Sequence, residues 1–127
     1  MLLKTYIVED NAIIRDNLIG TLEELACVVS VGTAEDENQG ISWLTDRYND
    51  WDLAIVDLFL KQGSGMGVLA ACKNRSSKQK VVVLSNYATA DIRQRCSSLG
   101  ADAVFDKSTE LEALMEFCSK HSQSFDS

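Results

Sequence analysis

Short unbroken apolar runs alternate along this chain with longer stretches in which apolar residues return every three or four positions. The most telling run is Leu53-Ala54-Ile55-Val56, which follows Asp52 and ends abruptly at Asp57. A run of this length with polar, glycine-bearing flanks reads as a strand buried on both faces, as in a parallel sheet. The loop after it, Leu58 to Gly65, holds two glycines, a lysine and a glutamine. In an open parallel sheet, chemistry sits just outside the carboxyl ends of the strands, which is where Asp57 falls.

The rest of the chain repeats this unit. Tyr6-Ile7-Val8 predicts a strand over about 4–8, closed by Glu9 and Asp10. Asn11 then suits an N-cap, and Ile14, Leu18, Leu22 and Leu25 mark one face of a helix. Val28, Val29 and Val31 predict a strand over about 27–32, and Ala34, Ile41, Leu44 and Tyr48 a helix over about 34–48 that Gly40 weakens. Val68, Leu69 and Cys72 mark a helix over about 65–75. Lys80 to Leu84 is the clearest strand, with Ser85 at its end; Ala88, Ile92, Cys96 and Leu99 give a helix that Gly100 stops. Ala103-Val104-Phe105 is a short last strand ending in Asp106 and Lys107. Thr109 and Glu112 fit a capping box for a final helix whose buried face is Leu111, Leu114, Met115 and Cys118. Five strand–helix repeats argue for an α/β fold, a parallel sheet with helices on both faces.

Length and charge narrow the picture. At 127 residues the chain is one domain, with a core over about 4–120 and a polar tail over 121–127 expected to fray. A net charge of -7 argues against direct binding to nucleic acid or anionic membranes, both of which need basic surface. Lys73, Arg75, Lys78 and Lys80 read as a solvated helix end and loop. Cys27, Cys72, Cys96 and Cys118 form no C-x-x-C pair, and there is no signal peptide or transmembrane run. They read as reduced, mostly buried thiols of a cytoplasmic protein. The lone His121 lies near the polar tail, so histidine-based catalysis and zinc binding have no support.

A parallel sheet brings Glu9, Asp10, Asp57, Ser85 and Lys107 to one edge. Each alone has a plainer reading as a polar loop residue. Together they are what one reaction would use. Three clustered carboxylates repel unless a cation sits among them, and an oxygen-only donor set suits Mg2+. Asp57 could then act as a nucleophile towards phosphorus. Lys107 would neutralise phosphoryl oxygens and Ser85 would donate a hydrogen bond to one of them. An aspartate-nucleophile, Mg2+-dependent phosphatase is the rival reading, but the second acid such enzymes carry two residues on is Phe59 here. A nucleotide or flavin binder is a third; Gly63-Ser64-Gly65-Met66-Gly67 fails the G-x-G-x-x-G pattern, because Val68 fills the last place.

Four segments carry a family resemblance: Val8-Glu9-Asp10-Asn11, Ile55-Val56-Asp57-Leu58, Val83-Leu84-Ser85-Asn86 and Phe105-Asp106-Lys107-Ser108. In order and spacing they resemble the receiver domains of two-component response regulators, the chemotaxis-type phosphoacceptor fold, over about residues 4–120. The resemblance implies a flavodoxin-like three-layer sandwich with strand order 2-1-3-4-5. It implies that a sensor histidine kinase or histidine phosphotransfer protein donates a phosphoryl group to Asp57. It implies Mg2+ held by Glu9, Asp10, Asp57 and the Phe59 backbone carbonyl, with Ser85 as switch hydroxyl. A surface made by the fourth helix, fifth strand and fifth helix would then change its affinity for a downstream protein target or output domain. The chain would be a phosphoacceptor rather than a turnover enzyme, either a stand-alone regulator or the receiver portion of a longer protein. Arg93, Arg95, Asp102 and the acids of the last helix offer charges for a symmetric dimer, or for solvent alone.

Two positions depart from the family pattern. Where an aromatic residue usually stands three before the lysine, this chain has Val104, with Phe105 beside it. Neighbours in a strand face opposite ways, so the switch aromatic is expected to be absent. The usual proline after the lysine is Ser108, which disfavours a cis bond there. Phe59 and Tyr87, each two residues beyond a site residue, match positions that flank the path of attacking water in the family.

Overall fold

The computed structural model describes residues 2–124. Strands β1 (Leu3–Val8), β2 (Val28–Ala34), β3 (Leu53–Val56), β4 (Lys80–Ser85) and β5 (Ala103–Asp106) alternate with helices. The helices are α1 (Ala12–Leu25), α2 (Glu37–Leu44), α3 (Gly65–Ala71), α4 (Ala90–Ser98) and α5 (Leu111–Ser124). All strand pairs are parallel, in the order β2-β1-β3-β4-β5. This is the flavodoxin-like sandwich. Its register sets Val8 beside Val56 and Val56 beside Val83, so β1 and β3 end level and β4 runs two residues further, to Ser85.

Alternation along the strands divides the core into two layers. Leu53 and Ile55 of β3, with Val82 and Leu84 of β4, join Leu18 and Leu22 of α1 and Leu114 and Cys118 of α5. Ala54 and Val56, with Val81 and Val83, face the other way, towards Leu44 of α2, Val68 and Leu69 of α3 and Cys96 of α4. Both layers are apolar, which is why β3 shows no alternation in its sequence: all four of its residues are buried.

Local polar groups set the helix starts. Asn11, Asp36, Ser64 and Thr89 cap α1 to α4, each accepting a backbone N–H from the first turn. Asp36 explains the first departure from the sequence reading. Ala34 ends β2 rather than opening a helix, and α2 stops at Leu44, leaving Tyr48 80% exposed. Gly40 lets α2 approach β1 closely, since a Cβ there would lie 3.2 Å from Val8 Cγ2. In α1 Leu18 and Leu22 are buried in the core and Ile19 packs against it, while Ile14 and Leu25, at the two ends, are exposed.

The last helix also differs. Asp106 Oδ1 accepts the N–H groups of Ser108 and Thr109, and Glu110 rather than Glu112 reaches back, its Oε1 accepting the Asp106 N–H at 3.0 Å. The helix then continues beyond the expected fraying point to Ser124, with His121 and Ser122 buried. His121 Nε2 lies 3.2 Å from the Asp52 carbonyl oxygen, a contact with the start of β3 that polar composition conceals. The remaining tail, 125–127, lies outside the described residues. All four cysteines are free; Cys72, Cys96 and Cys118 are buried, and Cys27 is exposed. No helix among the described residues is long and apolar enough to cross a membrane.

Candidate functional site

Each acid is placed by the end of a strand. Asp57 follows β3 and its N–H donates to the Val8 carbonyl of β1 at 2.9 Å, fixing the two strand ends together. Glu9 follows β1, its own N–H donating to the Ala34 carbonyl of β2 at 2.9 Å. Glu9 and Asp57 are buried and Asp10 is partly buried. One carboxylate oxygen from each of the three lies within 4.8 Å of the others.

Lys107 enters from the far side of the sheet. Its N–H donates to the Ser85 carbonyl at 3.0 Å, continuing the β4–β5 ladder beyond β5. From there its ammonium reaches Glu9 Oε1 at 2.6 Å and Asp57 Oδ2 at 3.0 Å. Burial opposes the charge on Lys107, yet its bonds to Glu9 and Asp57 outweigh that and move its pKa upward. Glu9 is moved upward too, because burial outweighs the opposing hydrogen bonds from Lys107 and the Asn11 N–H. The site thus holds more negative than positive charge, a surplus that a hard cation would offset.

The other acid oxygens are already engaged by backbone. Asp57 Oδ1 accepts the Phe59 N–H at 3.2 Å, and Asp10 Oδ2 accepts the Lys61 N–H at 2.7 Å, so the β3–α3 loop is bound to two of the three acids. Ser85 is fully buried and its Oγ accepts the Tyr87 N–H at 3.1 Å. Phe59 and Tyr87 are both exposed and meet edge to face, with ring centroids 5.3 Å apart.

The glycines after Asp57 have packing reasons. Gly65 donates its N–H to the Leu58 carbonyl at 3.0 Å, and a Cβ there would lie 2.8 Å from Leu58 Cα and inside contact distance of the Asp57 carbonyl oxygen. Gly63 has a φ of +83°, a conformation glycine adopts freely.

On β5 the side chains divide between the layers. Phe105 packs against Phe117 of α5, with ring centroids 5.9 Å apart, while Val104 faces the α4 side. Arg93, which the sequence offered as a surface charge, instead donates to the Val104 carbonyl at 2.8 Å and to the Ala88 carbonyl at 2.9 Å, and pairs with Glu110. Asp102 accepts from Arg75 at 2.8 Å and from the Val81 N–H at 2.8 Å. Arg93 and Asp102 are thus engaged within the chain. No peptide bond among the described residues is cis.

Comparison with known proteins agrees with this geometry. The family model described as "Response regulator receiver domain" matches residues 5–119. No curated protein matches the chain by sequence. Among solved structures, the Francisella response regulator 1452 receiver domain superposes with a TM-score of 0.82 at 15% identity, covering 97% of this chain and 98% of that one. A LuxR-family DNA-binding response regulator from Staphylococcus aureus gives 0.81 at 17% identity, over 94% and 98% of the two chains. A response regulator from Burkholderia pseudomallei, solved with a phosphorylated aspartic acid and a calcium ion, gives 0.77 at 19% identity, over 98% and 73%. The chain belongs to the response regulator receiver domain family.

Proposed function

We propose that this receiver accepts a phosphoryl group on Asp57 from a phosphohistidine, carried by a sensor histidine kinase or a histidine phosphotransfer protein. The observation that carries this reading is the Lys107 ammonium bound to both Glu9 and Asp57 beside a three-carboxylate cluster. An Asp57 carboxylate oxygen attacks phosphorus. The P–N bond breaks as the P–O bond forms, and the imidazole keeps the electron pair and takes up a proton. Glu9, Asp10, Asp57 and the Phe59 backbone carbonyl would hold Mg2+, which supplies positive charge opposite the phosphoryl oxygens. The donor set fits: oxygen atoms only, from three acids, close enough together to share one hard cation.

After transfer the new group carries roughly -1.5 to -2 of charge. Lys107 would follow that charge from the carboxylate to a phosphoryl oxygen. Ser85 would turn its hydroxyl inward to donate to another, releasing the Tyr87 N–H and moving the β4–α4 loop. That loop reaches α4, β5 and α5 through Arg93, so a surface there changes its affinity for a protein target or an output domain. The protein so read is a phosphoacceptor acting in the cytoplasm. Against the phosphatase reading stands Phe59, an apolar ring where a general acid would be needed.

Acetyl phosphate with Mg2+ supplies the test. Wild-type protein should take up one phosphoryl group, lost in Asp57→Ala and strongly reduced in Lys107→Ala. Comparable labelling of Asp57→Ala would overturn the assignment. Steady release of phosphate from many equivalents of donor, at a rate beyond single-site decay, would favour the phosphatase.

A further inference from the structure

We propose that Glu37 is a positioning residue for the phosphoacceptor loop: it holds the segment from Leu58 to Ser64 in the shape that presents Asp57 and the Phe59 carbonyl to a divalent cation. The inference rests on the reading of Asp57 as the metal-dependent acceptor.

Glu37 opens α2, far in sequence from the loop it touches. Its side chain and its backbone both grip that loop. Oε1 accepts the Ser64 N–H at 2.7 Å, and the Glu37 N–H donates to the Gln62 carbonyl at 3.3 Å. Ser64 pairs in turn with Phe59 through an isolated antiparallel bridge, and the Phe59 N–H donates to Asp57 Oδ1. A continuous series of backbone contacts therefore runs from the Glu37 carboxylate to the acceptor. The loop has few other fixed points: Lys61 rests on Asp10, itself a proposed metal ligand.

The glycines support the same reading. A Cβ at Gly63 would lie 3.0 Å from Glu37 Oε1, and one at Gly67 would lie 2.7 Å from the same oxygen. Gly63 has its own conformational reason, but Gly67 has an ordinary helical φ, so its missing side chain answers to Glu37. The glycine string that matched no nucleotide-binding pattern is thus a cradle for a protein carboxylate. A surface acid with no role would not occupy space withheld at two separate positions.

Charge and reach can be separated by substitution. Glu37→Gln keeps an acceptor oxygen at the same distance, whereas Glu37→Asp keeps the charge but is one methylene too short for the Ser64 N–H. Both are conservative in size, so both are expected to fold. The readouts are Mg2+ affinity, followed by amide shifts of Phe59 and Lys61, and amide exchange at Phe59 and Ser64 in metal-free protein. Positioning predicts that Glu37→Asp weakens Mg2+ roughly fivefold, about one hydrogen bond's worth, and speeds exchange at both amides, with Glu37→Gln within about twofold of wild type. A role confined to stability would lower the melting temperature and leave Mg2+ affinity in place, and that result overturns the proposal. Weak binding in Glu37→Gln with Glu37→Asp near wild type would also overturn it, since charge rather than reach would then matter. If wild-type protein binds Mg2+ and Glu37→Asp weakens it, but Asp57 takes no phosphoryl group, the functional reading fails and the positioning role stands. If wild-type protein binds no Mg2+, both fall.

Discussion

The guanidinium of Arg93 donates to the backbone carbonyl of Val104 at 2.8 Å, joining α4 to β5 at the position where receivers usually carry an aromatic switch residue. The same side chain donates to the Ala88 carbonyl and pairs with Glu110, so one residue ties the β4–α4 loop, β5 and the entrance of α5 together. Arg93→Ala would remove charged donors from two backbone carbonyls. The expected loss is about 1–2 kcal/mol, kept modest because the side chain is 40% exposed and water replaces part of what is lost. Denaturant melts check the size, and Arg93→Lys, which offers no planar fork, should recover only part of it.

The same contact has a pH signature. Glu110 is held below its ordinary value of 4.5, first by the hydrogen bond from Arg93 and then by the Asp106 N–H. Asp106 is held below 3.8, first by the Ser108 hydroxyl and then by backbone N–H groups. A depressed carboxyl contributes stability that is present above its unfolded pKa and lost as pH falls through the folded one. Stability from this pair should therefore be complete above about pH 4.5 and decline below it. Thermal melts from pH 6 down to 3 should show a shallower decline in Glu110→Gln than in wild type. Equal slopes would mean the pairing carries no weight in solution.

Much of this was legible because the dominant signals are local. The apolar run of β3, closed by Asp57, predicted a strand buried on both faces, and the ends of β1, β3 and β5 do bring Glu9, Asp10, Asp57 and Lys107 together. Alternation along β5 separated Val104 from Phe105 correctly, since period two is a property of any strand. What stayed hidden depends on contacts between distant segments. Nothing near Glu37 hints that it fills the space left by Gly67, and nothing near Arg93 marks it as a clamp rather than solvated charge. His121 misled for the same reason: a polar residue in a polar tail is buried beside Asp52, just before β3, and against Phe117.

The cysteines should differ sharply in reactivity. Cys72, Cys96 and Cys118 are buried and burial pushes their thiols up, Cys118 to about 12, so thiolate is scarce at each. Cys27 is exposed. A thiol reagent such as iodoacetamide at pH 8 should label Cys27 quickly and the others only as the protein opens. Peptide mass mapping reads the order directly. Prompt labelling of Cys96 or Cys118 would contradict the packing described for α4 and α5.

If Asp57 is phosphorylated as proposed, Phe59 and Tyr87 are expected to lengthen the lifetime of the group. The two rings meet at 5.3 Å and 80°, although both stand more than half exposed. Each is anchored at its base to the site: the Phe59 N–H is on Asp57 Oδ1 and the Tyr87 N–H on Ser85 Oγ. The pair therefore bridges the β3–α3 and β4–α4 loops next to Asp57, and on the proposed function a hydrolytic water would have to pass it. An edge-to-face contact is worth about 0.5–1.5 kcal/mol, so opening this bridge should be rarer by a factor of up to roughly ten than with small side chains. We expect Phe59→Asn with Tyr87→Ala to shorten the lifetime of phosphorylated Asp57 by up to about tenfold, each single change giving most of the effect because either ring alone breaks the pair. Decay of radiolabelled protein after removal of acetyl phosphate is the measurement. An unchanged half-life in the double variant would show that water reaches phosphorus by another route and that the rings serve only to pack two loops together.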